Sequence, residues 1–285
     1  MAGNTNESGS SVTARALRIL DAFDVAHSRL TLSDISRRSG LPLATVHRLA
    51  GELESWRALE RDERGMYHIG LRLWEVGLQS PLCTRLREVA IPYMQDLYEA
   101  TRENIQLAIR EGFDVLYIEK LSGHRSVPIV TRVGGRLPMH ATGVGKALLA
   151  FQPQDFLQKY CARPLARPTR HTVVEPGRLV RELERVRQNG YAVTREEMTL
   201  GSCSVAVPLR DEGGTPVAAL SVVVRSVRVD APKHAQPLRA AVRGIEERLA
   251  ASRGDPHPGY DHDFPPTRRG GSLLGDASAG RRAAS

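Results

Sequence analysis

Thr45, His47 and Arg48 place a hydroxyl, an imidazole and a guanidinium within one helical turn of each other. They lie in residues 32–53, LSDISRRSGLPLATVHRLAGEL. Leu32, Ile35 and Ser39 share one helical face, Gly40 permits a left-handed stop, and Pro42 suits the start of a new helix. Val46, Leu49, Ala50 and Leu53 then repeat at helical spacing and form a stripe that faces a core. The three polar side chains point away from that stripe, from the first half of the second helix. In a helix-turn-helix this half enters the major groove, where such groups reach phosphates or base edges. An ordinary helical hairpin with solvated polar residues has the same pattern, so the stretch does not decide the matter by itself.

Charge near the stretch points the same way. Between residues 31 and 50, Arg37, Arg38 and Arg48 face only Asp34. The whole-chain net charge of +8 says less, because up to residue 80 ten arginines are balanced by ten carboxylates.

A second candidate is Thr142-Gly143-Val144-Gly145-Lys146. It opens a helix that Thr142 can cap, and free N–H groups at such a start suit an anion. It is not a nucleotide loop, since His140 replaces the required glycine and Ala147 replaces Ser or Thr. The alternative is that its glycines only allow helix and sheet to pack closely. Catalytic readings find no support. There is no GxSxG and no HExxH, and the neighbours Glu196 and Glu197 point to opposite faces if the segment is extended. Cys83, Cys161 and Cys203 are isolated, and Cys203 reads as a small buried apolar residue. His257, Asp261, His262 and Asp263 fall in an aperiodic tail and read as solvated. No catalytic residue, metal or cofactor is expected.

The elements that position these groups fall into two domains. Residues 11–70 comprise a helix over 12–25, the two-helix unit, and strands over 58–61 and 66–69 about a turn. This hairpin has the place of a wing, and its Arg61 and Arg64 reach the DNA backbone or minor groove. Residues 71–80 form a linking helix with Leu71, Leu73, Trp74 and Val76. In residues 81–251, a long helix precedes strands over 105–109, 115–118 and 127–133. A helix over 143–151 and a further helical pair follow, then strands over 191–194, 204–209 and 217–224. An amphipathic helix through Leu238, Val242, Ile245 and Leu249 closes the domain. Residues 1–10 and 252–285 are expected to be disordered. Hydrophobic residues at 41% and charged residues at 25% fit a globular protein. The longest apolar run is too short for a bilayer, and the start lacks a secretory signal, so a cytoplasmic protein with no membrane partner is expected.

The order and wording of several segments resemble the IclR family of bacterial transcriptional regulators. They are SVTARALRILDAF from Ser11, the 32–53 unit, YHIGLRLW from Tyr67, GRLPMHATGVGKALLA from Gly135, GYAVTREE from Gly190 and GSCSVAVPLRD from Gly201. The resemblance implies an α+β chain: an N-terminal winged helix-turn-helix domain and a C-terminal GAF-like α/β effector-binding domain. It implies double-stranded DNA with a palindromic operator as partner, and a homodimer or a dimer of dimers. The residues expected on DNA are Arg37, Arg38, Thr45, His47, Arg48, Arg61 and Arg64. The effector positions implied are Gly143, Val144, Thr194, Ser204, Ser221 and Val223. Thr194 stands where the family can carry an acidic residue and Val223 where it can carry serine. The function expected is a repressor controlled by a small organic acid of a catabolic pathway, with an apolar or aromatic body. The alternative is a sensory module acting through protein partners, with a degenerate helix-turn-helix.

Overall fold

Side chains that capture backbone N–H groups set the helix boundaries of the N-terminal part. In the computed structural model, which describes residues 11–124 and 126–251, the chain divides near residue 84 into two units. The expectations for residues 1–10 and 252–285, including His257, Asp261, His262 and Asp263, lie outside the described residues.

In the first unit the Ser11 hydroxyl accepts the Ala14 N–H at 3.0 Å and opens helix α1, Val12–Leu20. The helix stops short of the expected residue 25. Beyond it the Asp24 carboxylate accepts the His27 N–H at 2.8 Å and builds a turn that competes with helix. Helix α2, Leu32–Ser39, opens with a reciprocal capping box between Thr31 and Asp34 and ends on Gly40 at φ 66°. Helix α3, Leu43–Ser55, buries Val46, Leu49 and Ala50. Strands β1, Leu59–Arg61, and β2, Tyr67–Ile69, pair antiparallel. Asp62 folds their turn by accepting the N–H groups of Arg64 and Met66, each at 3.0 Å. Ile19, Ile35, Val46, Leu49, Leu59 and Tyr67 belong to one buried cluster. Helix α4, Leu71–Gly77, follows.

The second unit is built on a six-stranded antiparallel sheet in the order β5-β4-β3-β8-β7-β6. Its strands are β3, Asn104–Glu111; β4, Asp114–Leu121; β5, Arg136–Pro138; β6, Ala192–Arg195; β7, Ser202–Arg210; and β8, Pro216–Arg225. The long helix α5, Pro81–Thr101, precedes them. Helices α6, Gly143–Leu149; α7, Gln154–Cys161; and α8, Pro176–Asn189, lie between β5 and β6, and α9, Ala231–Ala251, closes the unit. Facing residues of an antiparallel pair share a side of the sheet. The register therefore lays two rows across the face that α6 covers. One runs Thr194, Ser204, Val223, Asn104; the next runs Ala192, Ala206, Ser221, Gln106. Cys203, Val205, Val207 and Leu209 alternate with them and are buried on the opposite face.

The expected strand over 127–133 is not formed. Pro128 has no N–H to give a ladder, and Val130 and Val133 are exposed. Instead the Asn104 amide donates to the Val127 carbonyl and Lys120 Nζ donates to the Thr131 carbonyl, each at 2.9 Å. The short β5 follows and takes the edge place beside β4.

Candidate DNA-reading surface and effector cavity

Helix α3 holds Val46, Leu49 and Ala50 inward and leaves His47 and Arg48 exposed, with Thr45 half-buried. Arg48 Nη1 donates to Glu52 Oε1 at 2.5 Å, one turn along the same helix. Both partners are more than half exposed, and such a pair contributes only about 0.3–0.5 kcal/mol. That is less than the roughly 1–3 kcal/mol of a good base contact, so the pair does not by itself hold Arg48 in place. Arg37 is similarly exposed and bound to Asp34 at 2.6 Å. Arg61 and Arg64 project from the hairpin, with the Arg61 guanidinium 5.5 Å from the Tyr67 ring centre. Arg38 differs. Its Nε donates to the Ala22 carbonyl at 2.6 Å and its Nη2 to Asp24 at 2.5 Å, and the side chain is only 27% exposed. It ties α2 to the turn after α1 before it meets any DNA. The hydrogen bond from His27, helped by Arg38, holds the Asp24 carboxyl down at about 2.

In the second unit, Thr142 Oγ1 accepts the Gly145 N–H at 3.1 Å and opens α6. The helix lies very close to the sheet. A Cβ on Gly143 would sit 2.5 Å from Ser204 Oγ, and one on Gly145 would sit 2.2 Å from the Met139 carbonyl oxygen. Close packing therefore accounts for both glycines, and a cavity of about 30 Å³ remains beside the helix start. Gly143, Thr194, Ser204 and Val223 line it. Two other expected positions do not. Val144 is 1% exposed and turns into the apolar cluster with Leu148 and Leu179. Ser221 is fully buried one row deeper, where its hydroxyl donates to Gln106 Oε1 at 3.4 Å.

The sequence reading missed two groups. Gln106, Tyr117 and Thr131 are also part of the cavity wall. Gln106 gave no signal because a glutamine in an apolar strand reads as an interruption. The other is Lys146, 1% exposed, whose Nζ donates to Glu197 Oε1 at 2.6 Å and Glu182 Oε2 at 2.5 Å. Glu197 Oε2 also accepts the Val173 N–H at 3.2 Å. Burial raises the Glu197 carboxyl above the usual carboxylate range, and Lys146 opposes the shift. Glu197 lines both the small cavity and an open groove of about 410 Å³ bordered by His171, Arg178, Arg185 and Arg195. Glu196 and Glu197 take different partners, Ser226 and Lys146, but the segment is not extended there. Glu196 takes a left-handed backbone at φ 57° just past the end of β6. Cys203 is buried, which pushes its thiol up to about 11.

A winged helix-turn-helix joined to an α/β unit with a polar internal cavity defines a ligand-responsive DNA-binding regulator. Residues 12–63 match the IclR helix-turn-helix domain, and residues 83–249 match the bacterial transcriptional regulator IclR C-terminal domain. The chain belongs to the IclR family of bacterial transcriptional regulators. It is 33% identical to the regulator XynR of Escherichia coli, over 76% of this chain and 86% of that one. It is 32% identical to the repressor AllR of Escherichia coli, over 78% of this chain and 83% of that one. Among solved structures, it is similar to an IclR homologue from Microbacterium hydrocarbonoxydans complexed with 4-hydroxybenzoate. The identity is 38%, the TM-score 0.82, and the coverage 85% of this chain and 100% of that one. The alternative of a degenerate helix-turn-helix is not favoured, because the matched domain spans α1 to the turn after β1. No helix among the described residues is long and apolar enough to cross a membrane.

Proposed function

We propose that this regulator is a cytoplasmic repressor whose operator affinity is set by a small organic acid held between α6 and the sheet. The observation that carries this reading is the cavity itself, where Thr194 and Ser204 offer hydroxyls beside the apolar Val223 and Ile129. A body that is part apolar and part anionic suits that wall, and 4-hydroxybenzoate, with which the Microbacterium relative is complexed, is such a body. About 30 Å³ holds a water or two and no benzene ring. Entry therefore requires residues 127–133 and 196–202, which contribute Ile129, Thr131, Met198 and Thr199 to the wall, to move outward. An acid that binds only the opened form shifts the protein toward that form.

On DNA, α3 and the hairpin are read as the contacting elements, with Arg37, Thr45, His47, Arg48, Arg61 and Arg64 reaching phosphates or bases and Arg38 bracing α2. One recognition helix covers a few base pairs, so a palindromic operator with half-sites about 34 Å apart requires a homodimer or a dimer of dimers. Leu71 at 68% exposure and Trp74 at 63% offer the apolar face of α4 as the seam.

Calorimetry of the full chain with benzoate, 4-hydroxybenzoate, glyoxylate and glucose tests the ligand class. The aromatic acids bind and glyoxylate and glucose do not. Binding of the sugar, or of glyoxylate in preference to the aromatic acids, contradicts the reading.

A further inference from the structure

The side chain of Gln106 is 2% exposed and lines the cavity beside α6. Register places it directly opposite Ser221 on β8, and the Ser221 hydroxyl donates to Gln106 Oε1 at 3.4 Å. With Oε1 accepting from Ser221, Nε2 is the end of the amide left to donate. Nε2 finds no hydrogen-bond partner among the described residues. Folded proteins rarely bury a donor without an acceptor, and the exceptions call for an explanation. The rest of the wall sharpens the point. No Lys or Arg is among the described residues that line this cavity, and Glu197 is engaged by Lys146. A carboxylate entering here meets no free cation and must be held by neutral donors. Tyr117 is hydrogen-bonded to Thr142 and Thr131, and the Thr142 hydroxyl oxygen is occupied by the Gly145 N–H.

We infer that Gln106 is the specificity-determining donor of the effector cavity, its Nε2 N–H groups binding a carboxylate oxygen of the effector. The inference rests on the organic-acid reading of this cavity and assigns the end of the acid that enters deepest. Ser221, an effector position implied by the family resemblance, acts through Gln106 by orienting the amide. Hydrogen bonds to a charged acceptor are stronger than those between neutral groups, so the unsatisfied amide takes the carboxylate and leaves the rest of the acid to the wall of Ile129, Met198 and Val223.

The test uses the full chain, with 4-hydroxybenzoate and benzoate as paired ligands in calorimetry. Gln106→Leu weakens both acids by a similar factor, roughly tenfold to a hundredfold. Gln106→Glu also weakens both, and part of the loss is regained as pH falls, because the protonated carboxyl of that variant is again a donor. A second arm needs no ligand. Gln106→Leu combined with Ser221→Ala removes only the long Ser221–Gln106 bond, so the melting temperature of the unliganded protein does not fall. If the double variant melts several degrees lower, Gln106 is a structural residue and the inference is overturned. A loss confined to 4-hydroxybenzoate overturns it too, because the phenol and not the carboxylate then faces the amide. Unchanged affinity for both acids in Gln106→Leu overturns it while leaving the cavity as the acid site. If the wild-type chain binds neither acid, the organic-acid reading fails and the role of Gln106 falls with it.

Discussion

Two arginines ten residues apart show why exposure and partners matter more than residue type. Arg48 would give up only an exposed pair with Glu52 to reach DNA, whereas Arg38 would have to leave the Ala22 carbonyl and Asp24. Arg48→Ala is therefore expected to cost about 1–3 kcal/mol of operator affinity per half-site with an unchanged melting temperature. Arg38→Ala is expected to lower the melting temperature itself. Fluorescence anisotropy with operator DNA at matched salt, alongside thermal melts, separates the two. Lys146 is a residue whose type was visible and whose role was not. The sequence places it after two glycines, while its partners Glu182 and Glu197 lie 36 and 51 residues away. Lys146→Met leaves the buried Glu197 carboxylate without its cation and is expected to destabilise the protein by about 3–5 kcal/mol near neutral pH. The raised folded value of Glu197 sets the sign of the pH dependence. Its contribution to stability is full below the ordinary carboxylate value, roughly pH 4.3, and is lost as pH rises through the raised one. Without Lys146 that value rises further, so the variant loses more stability between pH 5 and 8 than the wild type does. Urea midpoints across that range measure the difference. Equal slopes for the two proteins would show that Lys146 does not set the Glu197 charge.

Helix α6 is held to the sheet at a distance only glycine permits, and its two glycines differ in what they touch. At Gly143 an added Cβ meets the Ser204 side chain, whereas at Gly145 it meets the Met139 backbone. A side chain gives way more easily than backbone. Gly145→Ala is therefore expected to cost more stability than Gly143→Ala, within the 1–3 kcal/mol typical of overpacking. Gly143→Ala, restricting the cavity, is expected to act mainly on effector affinity. Urea melts and calorimetry on the two variants check the ranking, and a reversed order contradicts it. Elements with an unbroken apolar stripe, such as α3, α8 and α9, were legible because periodicity depends on the segment alone. The segment 127–133 was not. Its β-branched residues have strand character, but Pro128 and the side-chain bonds from Asn104 and Lys120 give its backbone another arrangement. Thr194 and Ser204 were implied by the family resemblance alone, and the register sets them side by side on the cavity wall. The site was lost at Val144, where the helix turns its side chain into the core, and at Ser221, which Gln106 separates from the cavity.

At the scale of the whole molecule the proposed tasks fall to separate units, α3 for DNA in the first and the candidate ligand cavity in the second. The palindromic operator proposed above would add a third requirement, self-association, for which the exposed Leu71 and Trp74 are the candidates. Light scattering at micromolar concentration is expected to give a dimer or a larger even assembly, and Trp74→Glu to shift it toward monomer; a monomeric wild type would refute the seam. Because phosphate contacts release counterions, operator affinity should fall steeply as salt rises. The central claim is that occupancy of the cavity changes the affinity of α3 for its operator. It is tested most directly by titrating the full chain against a fluorescent palindromic fragment from its own upstream region. The titration is made at two salt concentrations, with and without a saturating aromatic acid that calorimetry has shown to bind. Salt-dependent binding to the fragment, weakened by the acid at both concentrations, is the expected result. An acid that binds the protein and leaves operator affinity unchanged would contradict it.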